Sequence, residues 1–294
     1  MTASSGRLPW QHLVLALAVV AVWGTNFVVI RWALDSLPPL LFAVLRFSFV
    51  FLPAAFFVKR PNVPWLDLCA YGVLIGVGQF GLLYLAIQSE ITPGLASLVV
   101  QTQVFFTIFL SMAINGESVA RRQWLALIVA CGGIGVIIAH VDASATPLGV
   151  IMILGAALSW AAGNLVAKRA GQVNMFAYVI WSSAFAVPPL LILSVMIEGA
   201  ERIETGLTQA GLVAWAAVAW QSIGNSLFGY SAWAWLLARH PASKIVPTAL
   251  AVPIFGMGAS ALLLNEGLPA WKLIAAALVI AGLTLNIAAA PSRR

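Results

Sequence analysis

Apolar runs of about twenty residues alternate with short polar breaks along nearly the whole chain. Ten runs can be delimited: Trp10–Ala33, Pro38–Val58, Trp65–Gln88, Thr92–Asn115, Gln123–His140, Pro147–Ala167, Met175–Ile197, Gln209–Leu237, Ala242–Asn265 and Pro269–Ala289. Each is about long enough to cross a hydrocarbon core of ~30 Å. The runs are continuous and not alternating, which predicts helices over barrel strands, because backbone in lipid must satisfy its own polar groups. The composition agrees: 62% of the 294 residues are hydrophobic, 8% are charged, and the mean hydropathy is +1.00. A soluble chain of this length could not bury so much apolar surface. The expected fold class is all-α integral membrane, with ten transmembrane helices.

The pattern repeats. With an offset of 149 residues Glu117 falls on Glu266, each in a polar break after a long apolar run, and Gly133 falls on Gly282 without a gap. Nearer the start of each copy, Trp23-Gly24-Thr25-Asn26 resembles Trp160-Ala161-Ala162-Gly163-Asn164, and the change of offset fits inside the polar stretch Glu198–Gln209. Two copies are expected, residues 1–142 and 143–294. Five spans in each put the second upside down relative to the first (5+5). Such inverted repeats are a signature of alternating-access transporters, whose substrate site lies near midplane between the repeats.

Lysine and arginine placement sets the expected orientation. With a cytoplasmic N-terminus the inner breaks carry Arg7, Lys59, Arg60, Arg121, Arg122, Lys168, Arg169, Arg239, Lys244, Arg293 and Arg294, whereas the outer ones carry Arg31, Arg202 and Lys272. Both termini are therefore expected inside, and the net charge of +6 is a topology signal and not a nucleic-acid patch. The first run is too long, and lacks a small-residue cleavage site, to read as a cleavable signal peptide. Cys69 and Cys131 lie within apolar runs and are expected to be small core residues. His12, His140 and His240 are scattered at span ends, so no metal site is expected, and no phosphate loop is present. Only residues 199–208 look like a true loop, and runs 5 and 10 look like scaffold at the rim.

The interior is informative for what it lacks. All nine acids fall at or beyond span ends, so the default carrier of a coupled proton or sodium ion is missing. What the spans carry instead is amides and aromatics. These are Trp23 and Asn26 in run 1, Gln79 and Tyr84 in run 3, Gln101 in run 4, Trp160 and Asn164 in run 6, and Gln221, Asn225, Tyr230 and Trp233 in run 8. At 100° per residue the last four share about half of a helical wheel. Lipid cannot satisfy amides, so these faces are expected to line an internal cavity and bind substrate. Each amide taken alone also fits plain interhelical hydrogen bonding. Arg46, inside run 2, needs a carbonyl, an acid near a helix end or a substrate carboxylate, and Ser183 stands at its equivalent position in the second copy. No Ser/His pair, paired aspartates or histidine cluster sits at membrane depth, which argues against an enzyme.

The Trp-Gly-Thr-Asn motif, Leu45-Arg46-Phe47, and the Asn-Gly-Glu and Asn-Glu-Gly ends of runs 4 and 9 resemble the drug/metabolite transporter superfamily, and within it the EamA family of metabolite exporters. That resemblance implies a bacterial inner-membrane exporter with a central cavity between two five-helix halves. It implies alternating access by rocking of hairpins 3–4 and 8–9, and it puts Trp23, Asn26, Trp160 and Asn164 near the cavity. The multidrug exporters of the superfamily carry a glutamate in the first span; here that helix offers only Thr25 and Asn26, which favours facilitated export. The expected substrates are neutral or zwitterionic metabolites, foremost aromatic and other hydrophobic amino acids, carried by a monomer in the bilayer without cofactor or nucleic acid. The competing expectation is a multidrug, sugar-nucleotide or phosphorylated-metabolite carrier.

Overall fold

A computed structural model describes residues 9–115, 121–140, 144–171, 173–240 and 242–289. The chain is all-helical there, as the apolar runs require. In chain order we label α1 (Trp10–Ala33), α2 (Pro39–Ala55), α3 (Trp65–Ser89), α4 (residues 93–115), α5 (Arg121–Ala139), α6 (Pro147–Arg169), α7 (Met175–Ile197), α8 (residues 212–239), α9 (residues 242–263) and α10 (Ala270–Ala289). Eight helices among the described residues are long and apolar enough to cross a membrane, while α2 is apolar but shorter, at 17 residues. Large apolar side chains such as Phe56, Phe57, Leu212 and Leu262 stand exposed on the outside, where a bilayer would cover them.

Four helices depart from α geometry in matched places. α3 widens into a π-helix over Leu74–Gly81, and α8 does the same over Trp220–Phe228. α4 tightens into a 3₁₀ turn over Val100–Thr102, and α9 over Val246–Ala251. Such departures free backbone groups and often mark functional positions. In α3 the Leu74 carbonyl accepts a hydrogen bond from Ser159 Oγ of α6 at 3.0 Å. Pro188 and Pro189 sit inside α7 without ending it.

Residues 199–208 are not a loop. Gly199 turns the chain at φ +81°, and Ala200–Gln209 then forms a short amphipathic helix with Ile203 turned toward the core. The charged residues of this stretch hid its helical period. Cys131 also corrects the expectation of two core cysteines: it is exposed on α5, with Cys69 half-buried.

The α5–α10 pair shows how small residues bring helices together. A Cβ on Gly133 would come within 2.8 Å of the Ala275 carbonyl and crowd Val279, and one on Gly282 would come within 2.7 Å of the Ala126 carbonyl and crowd Ala130. The two sets of neighbours are related by the same 149-residue offset as the glycines. Close backbone approach of this kind replaces the hydrophobic drive that lipid removes.

One end of the bundle is tied by three glutamates, each placed on the N-terminus of another helix, where its charge suits the helix dipole. Glu198 accepts from the Leu40 and Leu41 amides of α2 at 2.6 and 3.1 Å and from Ser194 Oγ at 2.6 Å. Glu90 accepts from Thr146 Oγ1, the cap of α6, at 2.6 Å. Glu266 reaches α4 and α10 together. Asn265, in a left-handed turn at φ +54°, precedes it. Its carboxylate takes bonds from Thr92 Oγ1 (2.6 Å), the Gly94 amide (3.0 Å) and Lys272 Nζ (3.0 Å). At the opposite end His12 and His240 share a ring-to-ring hydrogen bond of 2.6 Å, and Trp181 Nε1 donates to the Val58 carbonyl at 2.9 Å.

Candidate functional site

The expected site residues divide into three groups. The first is an aromatic wall between α1 and α8. Trp23 lies 5.2 Å from Trp233 and 5.8 Å from Tyr230, ring centre to ring centre, and its Nε1 donates to the Asn225 carbonyl at 3.4 Å. Trp23, Tyr230 and Trp233 are half-buried, and the tilted ring contacts leave faces that an apolar ligand could cover.

The second group converges on Arg46. Its side chain is fully buried at the middle of α2. Nη1 donates to Tyr84 Oη at 2.9 Å, and Nη2 donates to Asn225 Oδ1 at 2.9 Å and Ser226 Oγ at 3.0 Å. Phe80 lies over the guanidinium, 3.6 Å from ring centre to Cζ. Tyr84 and Asn225 thus join α3, α2 and α8 through a cation outside the amide-and-aromatic set expected to bind substrate. The signal was in the sequence, as the one charge set well inside an apolar run.

The third group does not converge. Asn164 Nδ2 donates to Gln103 Oε1 at 3.2 Å, tying α6 to α4, and Trp160 is half-buried nearby on α6. Gln101 is buried in the 3₁₀ turn of α4. Asn26, Gln79 and Gln221 are also buried, and Asn26 Oδ1, Gln79 Oε1 and both amide atoms of Gln221 have no partner among the described residues. The repeat explains Asn26: Asn164 has Gln103 to bind, but 149 residues after Gln103 stands Val252, which has nothing to offer. Gln221 and Asn225 both lie in the π-helix, where Ser226 Oγ bonds the Gln221 carbonyl five residues back at 2.9 Å.

A narrow cleft, with free room for about one water molecule in the state described, lies between α2, α3, α7 and α8. Arg46 and Phe80 line it together with Tyr71, Ser183, Ser226 and Tyr230. Tyr230 is thus shared by the aromatic wall and the cleft. No group of three or more metal-ligating side chains occurs among the described residues.

The EamA-like transporter family pattern matches residues 10–139 and, a second time, residues 147–288. The chain belongs to the EamA-like transporter family. It is a membrane transporter of the drug/metabolite transporter superfamily. Two relatives with the printed name "Probable amino-acid metabolite efflux pump" align over 93% of this chain. One, from Salmonella typhimurium, is 38% identical over 93% of its own length, and one, from Escherichia coli K12, is 37% identical over 94%. An "Uncharacterized inner membrane transporter YedA" of Escherichia coli K12 is 28% identical over 85% of this chain and 80% of its own. A solved crystal structure shares the fold, with a TM-score of 0.64 and 17% identity over 94% of this chain and 96% of that one. For an EamA-like transporter, the polar groups buried at mid-depth are the ones to weigh as substrate ligands.

Proposed function

We propose that this protein exports amino acids and related zwitterionic metabolites across a bacterial inner membrane, with aromatic and other hydrophobic side chains preferred. The observation that carries this reading is the wall of Trp23, Tyr230 and Trp233 beside Asn225 and Arg46: apolar ring faces next to hydrogen-bonding groups, with the acids at the ends of the apolar runs or beyond them. Such a wall suits a ligand that is apolar at one end and polar at the other. The printed names of the two most similar relatives described above point the same way.

In this reading residues 1–142 and 143–294 are inverted five-helix copies, and ten helices cross the membrane. Support comes from the paired π-helices of α3 and α8, the paired 3₁₀ turns of α4 and α9, and the reciprocal contacts of Gly133 and Gly282. With both termini cytoplasmic, the glutamate-tied end faces outward and is shut in the state described. Release of the ties at one end and then at the other would expose the site alternately to the two sides. With no carboxylate at mid-depth to carry a proton, the export is facilitated and runs down the substrate gradient.

The test is counterflow of radiolabelled phenylalanine, tryptophan and threonine into proteoliposomes, with and without a pH gradient. Phenylalanine and tryptophan are expected to exchange without the gradient, and Trp23→Ala to raise their KM. Absence of exchange of any amino acid would overturn the substrate class. Exchange that requires the gradient would overturn facilitation.

A further inference from the structure

Arg46 is a fully buried cation whose three hydrogen-bond acceptors are all neutral. Neutral acceptors stabilise a guanidinium, but they do not cancel its charge, and an uncompensated charge away from water is among the costliest arrangements a protein holds. Every acid in the sequence lies at or beyond the end of an apolar run. Nε of Arg46 has no acceptor among the described residues. The side chain nonetheless faces the cleft shared by α2, α3, α7 and α8 and does not turn away to a carbonyl. Tyr71, Ser183 and Tyr230 also line that cleft and bring no negative charge to it. The site is built as one half of an ion pair.

We propose that Arg46 is the anchor for the α-carboxylate of the transported amino acid. The inference rests on the substrate class proposed above and names the part of that substrate the buried charge holds. The guanidinium matches a carboxylate in charge, and its Nε–H, without an acceptor among the described residues, is left to donate to one. Tyr230 lines this cleft and also touches Trp23, so a ligand held by its carboxylate at Arg46 would lay its side chain toward the aromatic wall. Lack of an equivalent cation at Ser183 means the pocket has one anion subsite, not two, which suits a monocarboxylate over a diphosphate.

The test compares L-phenylalanine with L-phenylalaninamide, which keeps the amine and ring but loses the anion. Affinities are read from the ligand-induced rise in melting temperature of the purified protein, and exchange from proteoliposome counterflow. The wild type is expected to bind phenylalanine at least roughly tenfold tighter than the amide, since a charge-assisted contact is lost. In Arg46→Gln the phenylalanine affinity should fall to that of the amide, with the amide unchanged. Asn225→Asp guards against a variant that fails to fold. It sets a carboxylate 2.9 Å from Nη2, neutralises Arg46 from within, and should abolish the preference without lowering the melting temperature. If Arg46 only ties helices together, Asn225→Asp would keep the preference, or Arg46→Gln would lose both ligands equally; either result overturns the anchor. Exchange of phenylalanine by a wild type that binds the amide equally well also overturns it and leaves the function standing. A wild type that binds and moves no amino acid defeats the function itself and the anchor with it.

Discussion

Glu266→Gln should open the glutamate-tied end of the bundle. The carboxylate holds three donors from two helices, and both it and Lys272 are almost wholly buried, with side chains 7% and 2% exposed. Breaking a buried pair by removing one partner costs ~3–5 kcal/mol, because the other charge stays behind uncompensated. The amide retains one acceptor oxygen for Thr92 or Gly94, which brings the expected loss down to about 2–4 kcal/mol. All three donors lie at this end, so the loss falls on the closed arrangement and not evenly on both states. At 1.4 kcal/mol per factor of ten, that shifts the closed-to-open ratio by roughly 30- to 700-fold. The assay is labelling of Ser97→Cys, a fully buried position of α4 behind the cap, by a membrane-impermeant maleimide in a background with Cys69 and Cys131 replaced. Labelling should accelerate in Glu266→Gln and fall back in Glu266→Gln/Lys272→Met, where no charge is stranded. Unchanged labelling in the single variant, or faster labelling in the double, would refute the latch.

Gln221→Leu discriminates between a ligand-facing and an idle amide: both polar atoms of Gln221 are buried without partners, so the variant should raise the melting temperature by removing a penalty of about 1–3 kcal/mol, and should impair counterflow only if the amide meets substrate. Gly282→Leu should drive α5 and α10 apart, since even a Cβ there comes within 2.7 Å of the Ala126 carbonyl, and a fall in melting temperature of several degrees in detergent is the check. His240 is held below the ordinary histidine range by desolvation first, then by the charges of His12, Lys244 and Arg239. An unfolded chain therefore takes up its proton more readily, so the His12–His240 contact contributes stability above about pH 6.5 and loses it as the pH falls through the lower folded value. Melting temperature should drop on acidification, and His240→Asn should flatten that dependence.

Some of the site was legible residue by residue. Trp23, Tyr230 and Trp233 were read as cavity liners, and their rings lie against each other, because aromatic side chains well inside apolar runs have few other places to go. Tyr84 and Asn225 were read as cavity liners, but the structure joins them to Arg46, whose partners no helical wheel of α2 could reveal. Gln221 and Asn225 were assigned to one stripe on the premise of 100° per residue, and both lie in the π-helix of α8, where that spacing does not hold. Asn164 was paired with Asn26 by motif, yet only Asn164 meets an amide, because Gln103 and Val252 differ between the copies.

The sequence by itself determined that the chain is helical, that it lives in a membrane, and that its polar side chains must point inward. These follow from run length and composition, which are local, and from the absence of any other solvent for an amide in lipid. The self-similarity at 149 residues was equally present in the string. Tertiary structure alone decided which inward-facing groups share a site, because that depends on the rotation of each helix about its axis. Widened turns in α3 and α8 reset that rotation, and close approaches such as Gly133 against Ala275 set the distance. It also decided that three glutamates, unremarkable at the ends of their runs, cap helices far away in sequence. A carboxylate finds the free amides of a helix N-terminus, or the threonine that caps it, only after packing has brought the two ends together.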